Sequence, residues 1–116
     1  MTQSYIGTKQ ILAWGQEKDG QPGYAVKYAD GYVSWSPKDV FEAAYIPIGH
    51  VDHLPAHQQR VIGEKAQLEE RVSKLADFLD GDVFRSLDAA EQERLTVQLG
   101  AMREYAQILG ERVSAF

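Results

Sequence analysis

The chain has 116 residues, a formal net charge of -5 at pH 7 and no cysteine. This length fits one domain, or a small domain with an appendage, whose core gives modest stability, so we expect the chain to self-associate. The lack of cysteine excludes disulfides and thiol catalysis, and the negative charge argues against a broad surface for nucleic acid polymers. Because the sequence has neither a signal-peptide pattern nor the run of about 18 apolar residues that a membrane span requires, we expect a soluble cytoplasmic protein.

The first third of the chain has the pattern of a small antiparallel sheet. Residues 9–17 (KQILAWGQE) and 23–29 (GYAVKYA) have the composition of strands. Asp30 and Gly31 favour the positive backbone angles of a tight hairpin turn, so the following GYVSW should run back antiparallel. The sequence predicts a three-stranded meander.

A short helix is expected to cover this sheet. Ser36 is placed to cap a helix that has Pro37 at its first position, and the helix should end near Tyr45. The side chains predicted to face inward are those of Val40, Phe41 and Ala44.

Two apolar seams follow, with the alternating three- and four-residue spacing of helices that pack on each other. One helix should run from about Pro55 to Leu79, with Lys65 interrupting its seam, and the other should start at Asp88, which forms a capping box with Glu91. The seam residues are Val61, Leu68, Val72, Leu75 and Leu79 in the first helix, and Leu95, Leu99, Met102, Ala106, Leu109, Val113 and Phe116 in the second. We predict an antiparallel helical hairpin.

These elements predict an α+β fold in three parts. Residues 1–48 should form a small β-rich domain that includes the short helix, residues 49–56 a linker, and residues 57–116 the helical hairpin domain.

The second helix also has features that indicate a further neighbour. Glycine inside a helix costs up to about 1 kcal/mol relative to alanine, a cost that is commonly offset where another helix or a ligand approaches the backbone. The glycines concerned are Gly63, Gly100 and Gly110, and a second, weaker apolar stripe contains Val97, Ala101 and Ile108. We expect that neighbour to be another subunit.

No catalytic or metal site stands out. The spacing of His50, His53 and His57, with Asp52, is compatible with one metal ion, but histidines in such a linker are more often solvated, so no metal or other cofactor is predicted. Glycine-rich phosphate loops, nucleophile elbows and suitably spaced carboxylate pairs are all lacking, which favours a binding protein over an enzyme. Trp35 can stack on a ligand, but such a tryptophan more often belongs to the core of a small sheet.

Cations collect where the start of the first long helix lies level with the end of the second. The residues expected there are Arg60, Lys65, Arg103, Arg112, His57 and Tyr105. Gln98, Tyr105 and Arg112 are seven residues apart and form one line beside the seam. An amide, an aromatic ring and a guanidinium are the groups that bind a nucleotide, so the pattern predicts a pocket for a nucleotide-like anion.

The same residues also have a purely structural interpretation. Flanking positions of paired helices usually carry solvated charges, and Glu64, Glu104 and Glu111 are close enough to neutralise the cations. Lys65 favours binding, because a lysine in an apolar seam costs stability unless its ammonium reaches water or an anion.

Both parts of the chain resemble known phage proteins. The segments LPAHQQRVIGEKAQLEERVSKLADFL and MREYAQILGERVSAF resemble the helical hairpin that two groups share: the sponges for cyclic oligonucleotides of the CBASS system, and the Thoeris anti-defence sponges, which sequester glycocyclic ADP-ribose. The segments YIGTKQILAW and GYAVKYADGYVSWSPKDVFEAAY are similar to the β-rich domain of the Thoeris group. The segment between Trp14 and Gly23 is shorter than in those relatives, which bears on ligand preference.

This resemblance implies a phage anti-defence protein that traps an immune signal in the cytoplasm of the infected host without degrading it. It implies a homo-oligomer, a hexamer in the better known members, with ligand pockets between subunits. Arg60, Arg103 and Arg112 are the implied phosphate or ribose contacts, and Lys65 and Tyr105 are further candidates.

Four hypotheses remain open from the sequence. The first is a sponge for glycocyclic ADP-ribose, and the second is a sponge for a cyclic di- or trinucleotide, alone or at a second site. The third, of another class, is a non-catalytic phage adaptor that binds a partner protein through the hairpin. The fourth and least favoured is catalytic turnover of the ligand. Neither a nucleic acid polymer nor a membrane is an expected partner.

Overall fold

A computed structural model describes all 116 residues, which divide into two compact units, Met1–Ile46 and Pro47–Phe116. The first unit contains a three-stranded antiparallel sheet and a short helix, and the second contains two long helices that pack together. The predicted α+β architecture is confirmed. None of the helices combines the length and the apolar character needed to cross a membrane.

The sheet is a meander with the strand order β1-β2-β3. The strands are β1 (Leu12–Gly15), β2 (Gly23–Lys27) and β3 (Val33–Pro37). Ala25 pairs with Trp14 of β1 and with Trp35 of β3, so the two indoles lie on the same face of the sheet. Gly23 is required beside them, because a Cβ atom there would overlap the Trp35 ring and the carbonyl oxygen of Ser36.

The turn between β2 and β3 lies where the sequence predicts it, but its two central residues act differently. Gly31 has a φ of +90°, whereas Asp30 does not adopt a positive φ. Asp30 instead accepts a hydrogen bond at Oδ1 from the N–H of Tyr32, at 2.9 Å. The aspartate therefore stabilises the turn through its side chain rather than through its backbone conformation.

The short helix α1 (Lys38–Ala44) begins differently from the prediction. Its N-cap residue is Pro37, with no side-chain capping bond, so the predicted cap at Ser36 is wrong. Ser36 belongs to β3, and its hydroxyl donates to the carbonyl oxygen of Pro37 at 3.4 Å. A residue held in the strand ladder is not positioned to reach the first N–H groups of the helix.

The helix α1 packs on the sheet through one aromatic residue. Phe41 stacks on Tyr24 of β2, with ring centroids 4.2 Å apart, and on Tyr45, at 5.0 Å. Val40 is 61% exposed and Ala44 is also exposed, so their predicted inward orientation is wrong. A single helix of 7 residues presents one narrow face to the sheet, and Phe41 fills it.

The second unit is built on two long helices joined by a short one. They are α2 (Ala56–Leu79), α3 (Asp82–Ser86) and α4 (Ala89–Ser114). Asp88 caps α4 as predicted, since its Oδ1 accepts a hydrogen bond from the N–H of Glu91 at 2.8 Å. The helix α3 was not expected, because the sequence there predicts only a reversal of the chain.

The core of the hairpin forms where the two predicted seams meet. Val61 and Leu68 of α2 pack with Leu109 of α4, which is completely buried. Half-buried residues from both seams surround them: Val72, Met102, Ala106 and Val113. Phe116, the last residue of the second seam, is 41% exposed and lies outside this core.

Candidate anion-binding site

A hydrogen bond between α2 and α4 marks one side of the hairpin. The hydroxyl of Tyr105 donates to Oε2 of Glu64 across the two helices. This hydrogen bond is the main cause that raises the pKa of Tyr105 above its usual range, and partial desolvation is the second. The nearby charge of Arg112 lowers the pKa by a smaller amount. The phenol therefore remains protonated and donates to the carboxylate at neutral pH.

We call this side of the hairpin the Tyr105 flank. Residues three, four or seven positions apart lie on one side of a helix. This spacing identifies the other residues on the side of the Tyr105 bond, before and after it along each helix. Its members include His57, Arg60, Glu64 and Arg71 on α2, and Gln98, Tyr105 and Arg112 on α4. Because the helices run antiparallel, Arg60 (one turn before Glu64) and Arg112 (two turns after Tyr105) lie beyond this bond in the same direction, toward the end of α4.

Lys65 lies on the other side of the apolar seam. Its Cε would be 3.6 Å from a Cβ atom built on Gly110, so the lysine stem crosses α4 where that helix has no side chain. Its ammonium reaches the surface and lies 2.7 Å from Oε1 of Glu69. The lysine therefore fits the apolar seam by covering the backbone of α4 with its stem while its charge stays in water.

We call this second side the Lys65 flank. It comprises Lys65 and Glu69 on α2 with Arg103 and Gly110 on α4, which are seven residues apart. The structure thus divides the predicted cations between two flanks. It brings Arg60, Tyr105 and Arg112 to one side of the seam, and Lys65 and Arg103 to the other.

The arginines of both flanks are unpaired. The chain forms five salt bridges, and none of them includes Arg60, Arg103 or Arg112. All three side chains are exposed. Glu104 and Glu111, which are close enough in sequence to neutralise them, form no salt bridge either. The hydrogen-bond donors of these guanidinium groups are therefore open to solvent.

Two further candidates have weaker ties to this site. The amide nitrogen of Gln98 contacts the sulfur of Met102 at 3.7 Å, and Gln98 lies about 10 Å from Tyr105 along the helix. His57 is exposed in the first turn of α2. It does not join His50 and His53 in a metal site, since no group of three potential ligands comes together in this structure.

The sequence interpretation missed the contact that Glu64 makes. It treated this residue as one of several carboxylates that neutralise cations, whereas the structure pairs it with the hydroxyl of Tyr105. A signal was present, because Glu64 directly precedes Lys65 of the seam and so occupies a flanking position. Its partner also depended on how far one helix is shifted along the other, which the spacing within one helix does not specify.

The fold and these arginines define a class: small α+β proteins whose helical hairpin carries an open cationic surface. The chain belongs to the Sequestin family, whose match covers residues 55–115. That segment lies within the second unit and contains the whole hairpin. The family name indicates a sequestering role, and the first unit lies outside the match.

A phage protein is among the similar sequences. An uncharacterised 7.5 kDa protein from the denB-rIIB intergenic region of Enterobacteria phage T4 is 38% identical over 61 residues, which is 53% of this chain and 95% of the T4 protein. No protein of solved structure matches the chain significantly. The similarity to the T4 protein therefore rests on sequence alone, over 61 residues, which is about the length of the hairpin.

Proposed function

We propose that this protein is a phage anti-defence protein that binds a cyclic nucleotide immune signal, glycocyclic ADP-ribose of the Thoeris system, and withholds it from its effector without degrading it. Membership of the Sequestin family and the relative from phage T4 support a sequestering phage protein. The site of action we propose is the cytoplasm of the infected bacterial host.

The observation that carries this proposal is the pair of unpaired arginines on the Tyr105 flank. Arg60 and Arg112 come from different helices, lie on the same flank and form no salt bridge within the chain. Two guanidinium groups can hold the two phosphates of an ADP-ribose ligand through charge-assisted hydrogen bonds. The ring of Tyr105, 42% exposed, lies beside them and offers a surface on which a base can stack.

A sequestering protein acts by mass action, which sets the affinity it needs. If the signal and the protein are both near micromolar, a dissociation constant in the nanomolar range, about -12 kcal/mol, is required to remove the signal. Two desolvated arginine–phosphate contacts with base stacking supply interactions of that kind when the ligand is enclosed.

We further propose that a second copy of the chain encloses the ligand in a homo-oligomer, with a hexamer as the expected assembly. The outer stripe of α4 supports this, because Val97 is 65% exposed and Ile108 is 52% exposed. Gly100 lies between them with no atom near the position of a Cβ, so another helix can approach its backbone closely.

The test is stoichiometric capture followed by recovery. Purified protein is mixed with an equal amount of glycocyclic ADP-ribose and filtered, and the retained ligand is released by denaturation and identified by mass spectrometry. The proposal requires depletion of the signal from the filtrate and recovery of the same molecule. An undepleted filtrate would refute it and favour the adaptor that binds a partner protein, whereas an altered product would indicate turnover.

The Lys65 flank supports a second candidate ligand. The cations of this flank are Lys65, which pairs with Glu69, and Arg103, which forms no salt bridge. A cyclic di- or trinucleotide of the CBASS system is the ligand we propose for this flank, alone or together with the first. Competition between glycocyclic ADP-ribose and a cyclic dinucleotide for the wild-type protein tests this, because separate flanks predict simultaneous binding.

A further inference from the structure

Glu64 is an acidic side chain inside a surface that otherwise suits an anion. It accepts a hydrogen bond from Tyr105 across the hairpin and pairs with none of the surrounding cations. It lies one helical turn, about 6 Å, from Arg60. By register, Glu104 and Glu111 face away from the seam, so Glu64 is the carboxylate that an anion bound to Arg60 and Arg112 would meet.

A carboxylate in this position decides which anions the flank can hold. Its oxygens have about four acceptor sites, and Tyr105 uses one of them. A phosphate offers no donor to these oxygens and is repelled by them, whereas a ribose offers two hydroxyl groups. In dinucleotide-binding folds an acidic side chain accepts hydrogen bonds from ribose hydroxyls for the same chemical reason.

We propose that Glu64 is a specificity-determining residue that accepts hydrogen bonds from ribose hydroxyls of a ligand whose phosphates bind Arg60 and Arg112. This inference rests on the proposed function, and it adds the reason why the site takes a phosphorylated riboside rather than a simple phosphate. Tyr105 acts through Glu64, because its hydroxyl fixes the carboxylate in the direction of α4. Tyr105 is thus a positioning residue for this contact.

The experiment compares two ligands and two isosteric variants by isothermal titration calorimetry. Glycocyclic ADP-ribose contains both phosphate and ribose, and inorganic pyrophosphate contains phosphate alone. Glu64→Gln removes the negative charge at the proposed contact. Glu104→Gln is the control, because it removes an equal charge next to the site from a side chain that is exposed and has no partner. Melting of each unliganded variant checks that the fold is intact, and Glu64→Ala serves as a second variant.

The loss of hydrogen bonds to a charged acceptor should weaken glycocyclic ADP-ribose about tenfold or more in Glu64→Gln. Pyrophosphate should bind this variant as well as, or better than, it binds the wild type, because a repelling charge is gone. Glu104→Gln should leave the ratio of the two affinities unchanged. Weaker binding of glycocyclic ADP-ribose with unchanged or tighter binding of pyrophosphate is therefore the expected result.

Equal tightening of both ligands in Glu64→Gln would overturn the inference, since it would make Glu64 a repelling charge and nothing more. An unchanged ratio in Glu64→Gln and Glu64→Ala would overturn it as well. Either result leaves the proposed function standing, because the wild type still binds the signal. Failure of the wild type to bind glycocyclic ADP-ribose would instead refute the proposed function, and this inference with it.

Discussion

Replacing Arg112 with alanine should weaken the binding of glycocyclic ADP-ribose and leave the unliganded fold intact. Arg112 is exposed and forms no salt bridge, so its removal should change the free energy of unfolding by no more than about 0.5 kcal/mol. A hydrogen bond from a guanidinium to a phosphate contributes about 1.5–3 kcal/mol. Its loss should therefore raise the dissociation constant about 10- to 150-fold.

The division of the cations between two flanks makes this prediction specific. Arg60→Ala should weaken the same ligand to a similar extent, because Arg60 lies with Arg112 on the Tyr105 flank. Arg103→Ala should leave that ligand bound, since Arg103 lies on the Lys65 flank. Arg71→Ala is the matched control: Arg71 lies on the same flank, exposed and without a salt bridge, but about 16 Å from Arg60 along α2.

The measurement combines calorimetric titration with melting of each variant in the presence and absence of ligand. Tight binding to the native state raises the melting temperature, so a variant that binds weakly should lose most of this shift while its unliganded melting temperature is kept. The reasoning is refuted if Arg112→Ala binds as the wild type and Arg71→Ala do. A loss of binding in Arg103→Ala equal to that in Arg60→Ala would contradict the separation of the flanks.

Three further substitutions test the fold. Leu109→Ala should lower the free energy of unfolding, measured by calorimetry, by about 2–5 kcal/mol, since Leu109 is fully buried. Gly23→Ala should disrupt the sheet, because its Cβ would overlap Trp35, and a shift of indole emission reports the change. Asp88→Ala should cost about 1 kcal/mol in urea unfolding through loss of the helix cap, and an unchanged midpoint would contradict that role.

Features encoded in short segments were predictable from the sequence. The seam spacing predicts which residues of α2 and α4 meet, and the buried cluster of Val61, Leu68 and Leu109 confirms it. Asp88 followed by Glu91 predicts the start of α4, and the capping bond confirms that prediction. Each of these features depends on residues within a few turns of one element, so its physical cause is visible in the local pattern.

The axial alignment of the two helices was not predictable in this way. In an antiparallel pair whose seams face each other, the periodicity places Glu64 and Tyr105 on one flank and Lys65 on the other side of the seam. It does not specify how far one helix is shifted along the other, because that depends on the connection, where α3 was not expected. The structure fixes this alignment through the Tyr105 bond and the placement of Lys65 over Gly110. The sequence therefore identifies the candidate cations without the contacts that the helices make with each other.

The positions of the indoles make the two units optically distinct. Both tryptophans, Trp14 and Trp35, lie in the unit Met1–Ile46, and the unit Pro47–Phe116 has none. Emission excited selectively from indole therefore reports on the sheet alone, while far-ultraviolet circular dichroism is dominated by the long helices. An unlabelled sample can thus show whether the two units unfold together or in separate steps. If the two signals have different midpoints, the unit outside the Sequestin match is an independently folding module.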